Sequence, residues 1–273
     1  MKKILIIGKK SFVAKNINVH LKNSFILKNV NYSRFNKISK KNLIDFDYII
    51  NCSISKKYVT NKYSELNDLD FKIAKKIFKF PVKMIFLSSR KVYEHGDNLK
   101  EASKLNPRCH YSKNKLITEK KLIKILAKKV LILRISNLIG KLNANISHRK
   151  IHHTFIDNFY FYLKKGVIFN NKKLYKDFLT VKKFCEILKK LINIKTNGIY
   201  NISIGERIFL KDLVGWLNYY NINKKYHVID VPDNFNKECF YLNNLKLKKK
   251  ININISKLEL KRYCINLSKN FFR

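Results

Sequence analysis

Tyr111 and Lys115 stand four residues apart in the stretch HYSKNK, inside a segment whose apolar spacing predicts a helix from about Tyr111 to Ala127. On a helix this spacing puts both side chains on one face, one turn apart. An ammonium fixed beside a phenol favours the phenolate and lowers the tyrosine pKa from its ordinary value of about 10. A tyrosine tuned in this way can exchange a proton with a sugar hydroxyl or a ketone near neutral pH. The Y-x-x-x-K spacing is common in a chain this rich in lysine, so position has to decide its meaning. Upstream, MIFLSSRKVYEHG ends an apolar strand on Ser88 and Ser89, ahead of the tyrosine helix. Side chains at C-terminal strand ends face the crevice where ligands bind in open α/β sheets.

The elements that must position these residues can be read from the hydrophobic pattern. KILIIG is a buried strand, followed by Val13, Ile17 and Leu21 at helical spacing. DYIINCS is a second strand, and Leu66, Leu69, Ile73 and Ile77 mark a helix face before the strand VKMIFLSS. VLILRIS follows the tyrosine helix, then DFLTV, a helix carrying Phe184, Ile187 and Leu191, and the strand GIYNIS. Strands that are apolar throughout, each followed by a helix, indicate a parallel sheet covered on both faces. The fold expected is α/β and doubly wound, with residues 1–140 forming the core and 166–204 returning to it. Residues 141–165 and 205–273 are expected to form a small C-terminal lobe.

The first strand runs into GKKSFVAK, at the place where dinucleotide-binding folds carry a glycine-rich loop. Gly8, Ser11 and Ala14 occupy the three glycine points of that fingerprint. The first glycine makes the turn, the second admits backbone to the pyrophosphate, and the third lets helix and strand pack. Ala14 adds one methyl. Ser11 places a Cβ where phosphate approaches, although its hydroxyl can donate to a phosphate oxygen. By itself the loop is also compatible with a plain strand–helix turn. No acidic residue precedes Asp45 to grip ribose hydroxyls; Ser33 and Arg34 stand there instead and suit a 2′-phosphate, favouring NADP over NAD.

The 273 residues carry Lys+Arg 59 against Asp+Glu 18, a formal net charge of +41. Nucleic-acid binding is one reading of such a charge. The lysines are spread along the whole chain beside abundant Asn and Ile, the pattern of an A/T-rich genome, and no nucleic-acid motif accompanies them. No specific nucleic-acid partner is expected. There is no apolar run of about 18 residues to span a membrane and no signal-peptide pattern, so a cytoplasmic location is expected. Five scattered cysteines without a CxxC pair suit reduced thiols rather than a disulfide framework or a zinc site.

In order along the chain, IIGKKSFVAKNI, DYIINCS, FLSSRKVYEHG, NPRCHYSKNKLITEK, LILRISNLIG, YKDFLTVKKFCEIL and GIYNISIGERIFLKDLV resemble the extended short-chain dehydrogenase/reductase family, which holds nucleotide-sugar epimerases, dehydratases and 4-keto-sugar reductases. The resemblance implies a Rossmann-like fold, a nicotinamide cofactor and a nucleotide-sugar substrate. It makes Tyr111 the acid/base, Lys115 the holder of the nicotinamide ribose, and Ser89 a hydrogen-bond partner of the reacting sugar oxygen. It sets the Phe12 and Val13 amides at the pyrophosphate, Cys52 and Ser53 along the cofactor channel, and Asn137 at the substrate phosphate. It also implies dimerisation through helices that include the Tyr111 helix.

Dehydratases of this family carry Asp-Glu directly after the serine or threonine, whereas Arg90 and Lys91 stand here and cannot supply that acid and base. Reductase and epimerase stay open, and Arg34 tips the reading to a reductase using NADPH. Lys182 and Lys183 replace an acid usual after DFLTV. A non-catalytic dinucleotide-binding relative is the competing class, and the intact Ser89, Tyr111 and Lys115 set argues against it. The segment 141–165, with His152 and His153, is expected to help choose the sugar.

Overall fold

A computed structural model describes residues 1–140, 155–170, 173–222, 227–230 and 239–272. His152 and His153 lie outside the described residues, as does most of the segment 141–165. Six strands form the central sheet: β1 (Lys3–Ile7), β2 (Ile26–Val30), β3 (Tyr48–Asn51), β4 (Lys83–Ser89), β5 (Val130–Ile135) and β6 (Gly198–Ile202). Their spatial order is β6-β5-β4-β3-β1-β2, and β1 to β5 pair in parallel. The order reverses between β1 and β3, and such a switch point is where open α/β sheets bind ligands.

The expected apolar strands are present because they are buried on both faces. Ile4, Leu5, Ile6 and Ile7 are fully buried, as is β3 throughout. Each such side chain contributes about 1.5–3 kcal/mol of burial. The main helices are α1 (Phe12–Leu21), α2 (Tyr32–Lys37), α3 (Leu69–Ile77), α4 (His110–Leu126) and α5 (Val181–Asn193). Helix α1 turns Ala14, Ile17 and Leu21 inward. Helix α3 starts later than the apolar spacing suggests, because Asp68 caps it by accepting the Phe71 N–H. Leu66 therefore lies ahead of the helix and is 78% exposed, not part of its inner face.

The chain divides into two compact units. The first, residues 1–94, 103–135 and 185–201, holds the sheet and its core, in which Leu5, Phe35, Ile73, Phe86 and Leu122 pack. The second takes 95–102, 136–184 and 202–273. Residues 166–184, expected in the core, fall in the second unit because Phe178–Thr180 pairs with Asn137–Ile139 rather than with the central sheet. In that unit the buried Asp177 carboxylate accepts the N–H groups of Ile204, Gly205 and Leu242.

Four lysines of the first unit reach backbone carbonyls near helix ends. Lys2 donates to the carbonyls of Ile192 and Asn193, Lys76 to Phe35 and Asn36, Lys83 to Lys195, and Lys129 to Phe78 and Phe80. These carbonyls lie at or just beyond the C-terminal ends of α5, α2 and α3, where ammonium groups favour the helix dipole. Among the described residues, no helix is long and apolar enough to cross a membrane.

Candidate active site

The β1–α1 turn is built for close approach. Gly8 has φ +94°, and a Cβ there would sit 2.6 Å from Ser53 Oγ and 2.8 Å from the Ser53 amide nitrogen. The turn thus rests on the end of β3 at Cys52 and Ser53, bringing together the cofactor residues read from the sequence. Ser11 is the N-cap of α1 in an extended conformation, its hydroxyl accepting the Ala14 N–H at 3.1 Å. Burial pushes the Cys52 thiol up to about 12, so Cys52 stays a neutral wall. The first bond along α1 is donated by Lys15 to the Ser11 carbonyl, so the Phe12 and Val13 amides open the helix ahead of its ladder. A helix N-terminus of this kind suits an anion, and the exposed Lys9 and Lys10 beside it add positive charge. The residues present fit a dinucleotide pyrophosphate. Arg34 is exposed on α2, which Asn31 caps by accepting the Arg34 N–H at 2.9 Å.

Ser89 ends β4. Its half-buried hydroxyl accepts the Lys91 N–H at 3.2 Å as the chain turns into a short 3₁₀ helix at Arg90–Val92. Arg90 is buried and Lys91 exposed. Tyr111 and Lys115 lie in the first two turns of α4, which starts at His110 because the Ser112 hydroxyl accepts the Cys109 N–H at 3.2 Å. The Lys115 ammonium lies 6.0 Å from the Tyr111 ring centre, as the four-residue spacing requires. It donates to the Leu87 carbonyl at 2.9 Å and packs over the Phe86 ring at 4.4 Å. The lysine is thus anchored to β4 two residues before Ser89.

Several residues that sequence spacing did not single out fix this arrangement. Glu119 continues the 111–115 face by one more turn, and its buried carboxylate takes Arg134 on β5 through both oxygens, at 2.7 Å from Nη2. The Ser88 hydroxyl donates to the same carboxylate, and the Arg134 guanidinium lies 4.8 Å from the centre of the Tyr93 ring. On the other flank, the Thr118 hydroxyl donates to Asp68 at 2.7 Å, and Asn114 donates to the Tyr58 and Asn61 carbonyls. Asp70, on α3, places Oδ2 3.8 Å from the Lys115 ammonium. The repeat at 111, 115 and 119 was a signal for Glu119, and an acid inside an apolar helix face was one for Asp70.

Asn137 belongs to the second unit. It pairs with Phe178, and its side-chain amide donates to the Asp177 carbonyl at 3.0 Å. Lys183 forms an ion pair with Glu259 at 3.0 Å. Among the described residues, no cluster of three or more His, Cys, Asp or Glu side chains could hold a metal ion.

The sheet carries a glycine turn at its switch point, and α4 sets Lys115 against β4 with the centre of the Tyr111 ring 6.0 Å from its ammonium. Residues 4–203 match the NAD dependent epimerase/dehydratase family, and the chain belongs to it. Solved structures of similar fold include a UDP-N-acetylglucosamine 4-epimerase from Methanobrevibacter ruminantium M1 in complex with UDP-N-acetylmuramic acid, at 18% identity and TM-score 0.78, covering 99% of this chain and 98% of that one. A dTDP-4-dehydrorhamnose reductase from Clostridium acetobutylicum has 17% identity and TM-score 0.74, covering 98% of this chain and 99% of that one. A dTDP-glucose 4,6-dehydratase from Bacillus anthracis, in complex with NAD, has 16% identity and TM-score 0.74, covering 98% of this chain and 96% of that one. At these identities the likeness is one of fold. Comparison with curated proteins by sequence returns no match.

Proposed function

We propose that the chain is an NADP-dependent reductase of a nucleotide-activated 4-keto-sugar. The dinucleotide supplies the hydride when bound. Tyr111 delivers the proton that the carbonyl oxygen needs as it becomes a hydroxyl, and Ser89 donates a hydrogen bond to that oxygen. Lys115 holds the nicotinamide ribose and favours the phenolate left on Tyr111. Gly8, Ser11 and the Phe12 and Val13 amides take the pyrophosphate beside Cys52 and Ser53, Arg34 takes the 2′-phosphate, and Asn137 takes the substrate phosphate. The observation that carries this reading is the anchoring of Lys115 between the Tyr111 ring and the β4 carbonyl of Leu87. The Arg90-Lys91 pair supports reduction over dehydration, since neither residue can act as a general acid–base carboxyl pair.

The test has two parts. Purified protein is denatured and any released dinucleotide identified, and NADPH oxidation is then followed with a 4-keto nucleotide sugar. The expected outcome is exchangeable NADP(H) and turnover. Tyr111→Phe is expected to lower kcat by about 10²–10⁴ with dinucleotide affinity intact. Tightly retained NAD together with interconversion of two epimers would replace the reductase assignment by an epimerase. Undiminished turnover in Tyr111→Phe would remove the tyrosine from the chemistry.

A further inference from the structure

The Lys115 side chain is 8% exposed, with the Leu87 carbonyl and the Phe86 ring as neutral neighbours of its ammonium. Those partners do not offset the cost of burying a full charge, which calls for an opposite one. Asp70 provides it. Its side chain is equally buried, and Oδ2 lies 3.8 Å from the ammonium, an ion-pair separation beyond hydrogen-bond reach. The other oxygen, Oδ1, accepts the Asn51 amide at 2.9 Å. Asn51 in turn brackets Ser53, accepting its N–H at 3.0 Å and donating to its carbonyl at 3.1 Å. Ser53 is the residue against which the Gly8 turn rests. The carboxylate therefore links the wall of the dinucleotide turn to the lysine of α4. Its ion-pair separation leaves the ammonium's hydrogens beyond the one on Leu87 uncommitted to Asp70.

We propose that Asp70 is a positioning residue. Its carboxylate is the counter-charge that holds the Lys115 ammonium seated beside Leu87, with its remaining hydrogens presented to the dinucleotide. What Lys115 then does rests on the proposed function; the pairing itself does not.

The test is competitive acetylation of the full-length protein with trace acetic anhydride at pH 8 and above, with each lysine read by peptide mass spectrometry. Asp70→Asn and Asp70→Ser, two neutral variants of different volume, are compared with the parent, so that a folding failure in one leaves the other. Lys115, no longer held by its counter-charge, is expected to label about tenfold faster in the neutral variants than in the parent. Asp70→Glu, which keeps the charge, is expected to restore slow labelling. General loosening of the helix would speed labelling in Asp70→Glu as well and would overturn the proposal. So would unchanged Lys115 labelling in both neutral variants, whatever the dinucleotide does. Failure of the parent protein to bind any dinucleotide removes the reductase reading, and the labelling result still decides the role of Asp70.

Discussion

Glu119 holds Arg134 through both carboxylate oxygens, and the pair is almost completely buried. Because Ser88 donates to the same carboxylate, one acid ties α4 to β4 and β5 together. A helix fixed at this point cannot slide along the sheet, and sliding by one residue would carry Lys115 off the Leu87 carbonyl of β4. Removing either partner leaves a buried charge alone. Arg134→Met or Glu119→Gln is expected to cost about 3–5 kcal/mol in urea unfolding, while Glu119→Leu combined with Arg134→Met recovers most of that loss. A double variant that loses as much as the two singles added together would show that the pair is not coupled.

The turn at Gly8 predicts a steep local penalty. Gly8→Ala places a Cβ at positive φ and within 2.6–2.8 Å of Ser53 and Cys52. A loss of roughly 1–3 kcal/mol from backbone strain alone is expected, together with loss of dinucleotide binding as the turn moves off β3. Ser11 behaves differently because its backbone is extended and its hydroxyl caps α1. Ser11→Ala is expected to cost about 1 kcal/mol and Ser11→Gly only a few tenths. Calorimetry of the two variants with NADPH then reads how far the serine Cβ limits pyrophosphate binding.

Arg34 is proposed to set the choice of dinucleotide. Exposed on α2, it is expected to raise NADPH affinity without touching NADH. Arg34→Ala should weaken NADPH by about tenfold, the loss of one charge-assisted hydrogen bond, and leave the NADH dissociation constant unchanged. Equal weakening of both cofactors would take Arg34 away from the 2′-phosphate.

Asp70 also gives stability a pH dependence. Burial raises its carboxyl to about 7; Lys115 and Asn51 oppose the shift, and Asp68 on the same helix adds to it. Cys52 and the Tyr58 and Tyr32 phenols also feel its charge. An unfolded aspartate titrates near 4. Between about pH 4 and 7 the folded state therefore holds more protons at this site than the unfolded one, and the site's contribution to stability falls as pH rises, levelling above 7. The unfolding free energy of the parent minus that of Asp70→Asn is expected to drop by up to about 1.4 kcal/mol per pH unit across that window. Urea titrations at pH 5, 6, 7 and 8 check it, and a flat difference contradicts it.

The sheet was legible because β1, β3, β4 and β5 are apolar on both faces, leaving no alternative to a covered parallel sheet. The placement of Lys115 beside the Tyr111 ring was legible through the four-residue spacing. Asp70, Asn51 and Arg134 were not, because their meaning depends on neighbours 15 to 45 residues away in sequence, such as Lys115 for Asp70 and Glu119 for Arg134. Leu66 misled because an apolar residue at the right interval says nothing of where Asp68 caps the helix. The place of 166–184 depended on strand pairing with Asn137–Ile139, which local pattern does not encode.

The lysines that close helix ends separate this protein's large positive charge into two populations. Lys2, Lys76, Lys83 and Lys129 donate to backbone carbonyls, whereas Lys113, Lys120 and Lys124 point outward from α4. Surface engineering that lowers the charge, for crystallisation or to curb adhesion to polyanions, should draw on the outward group. Neutralising the carbonyl-bound group would instead fray the ends of α2, α3 and α5.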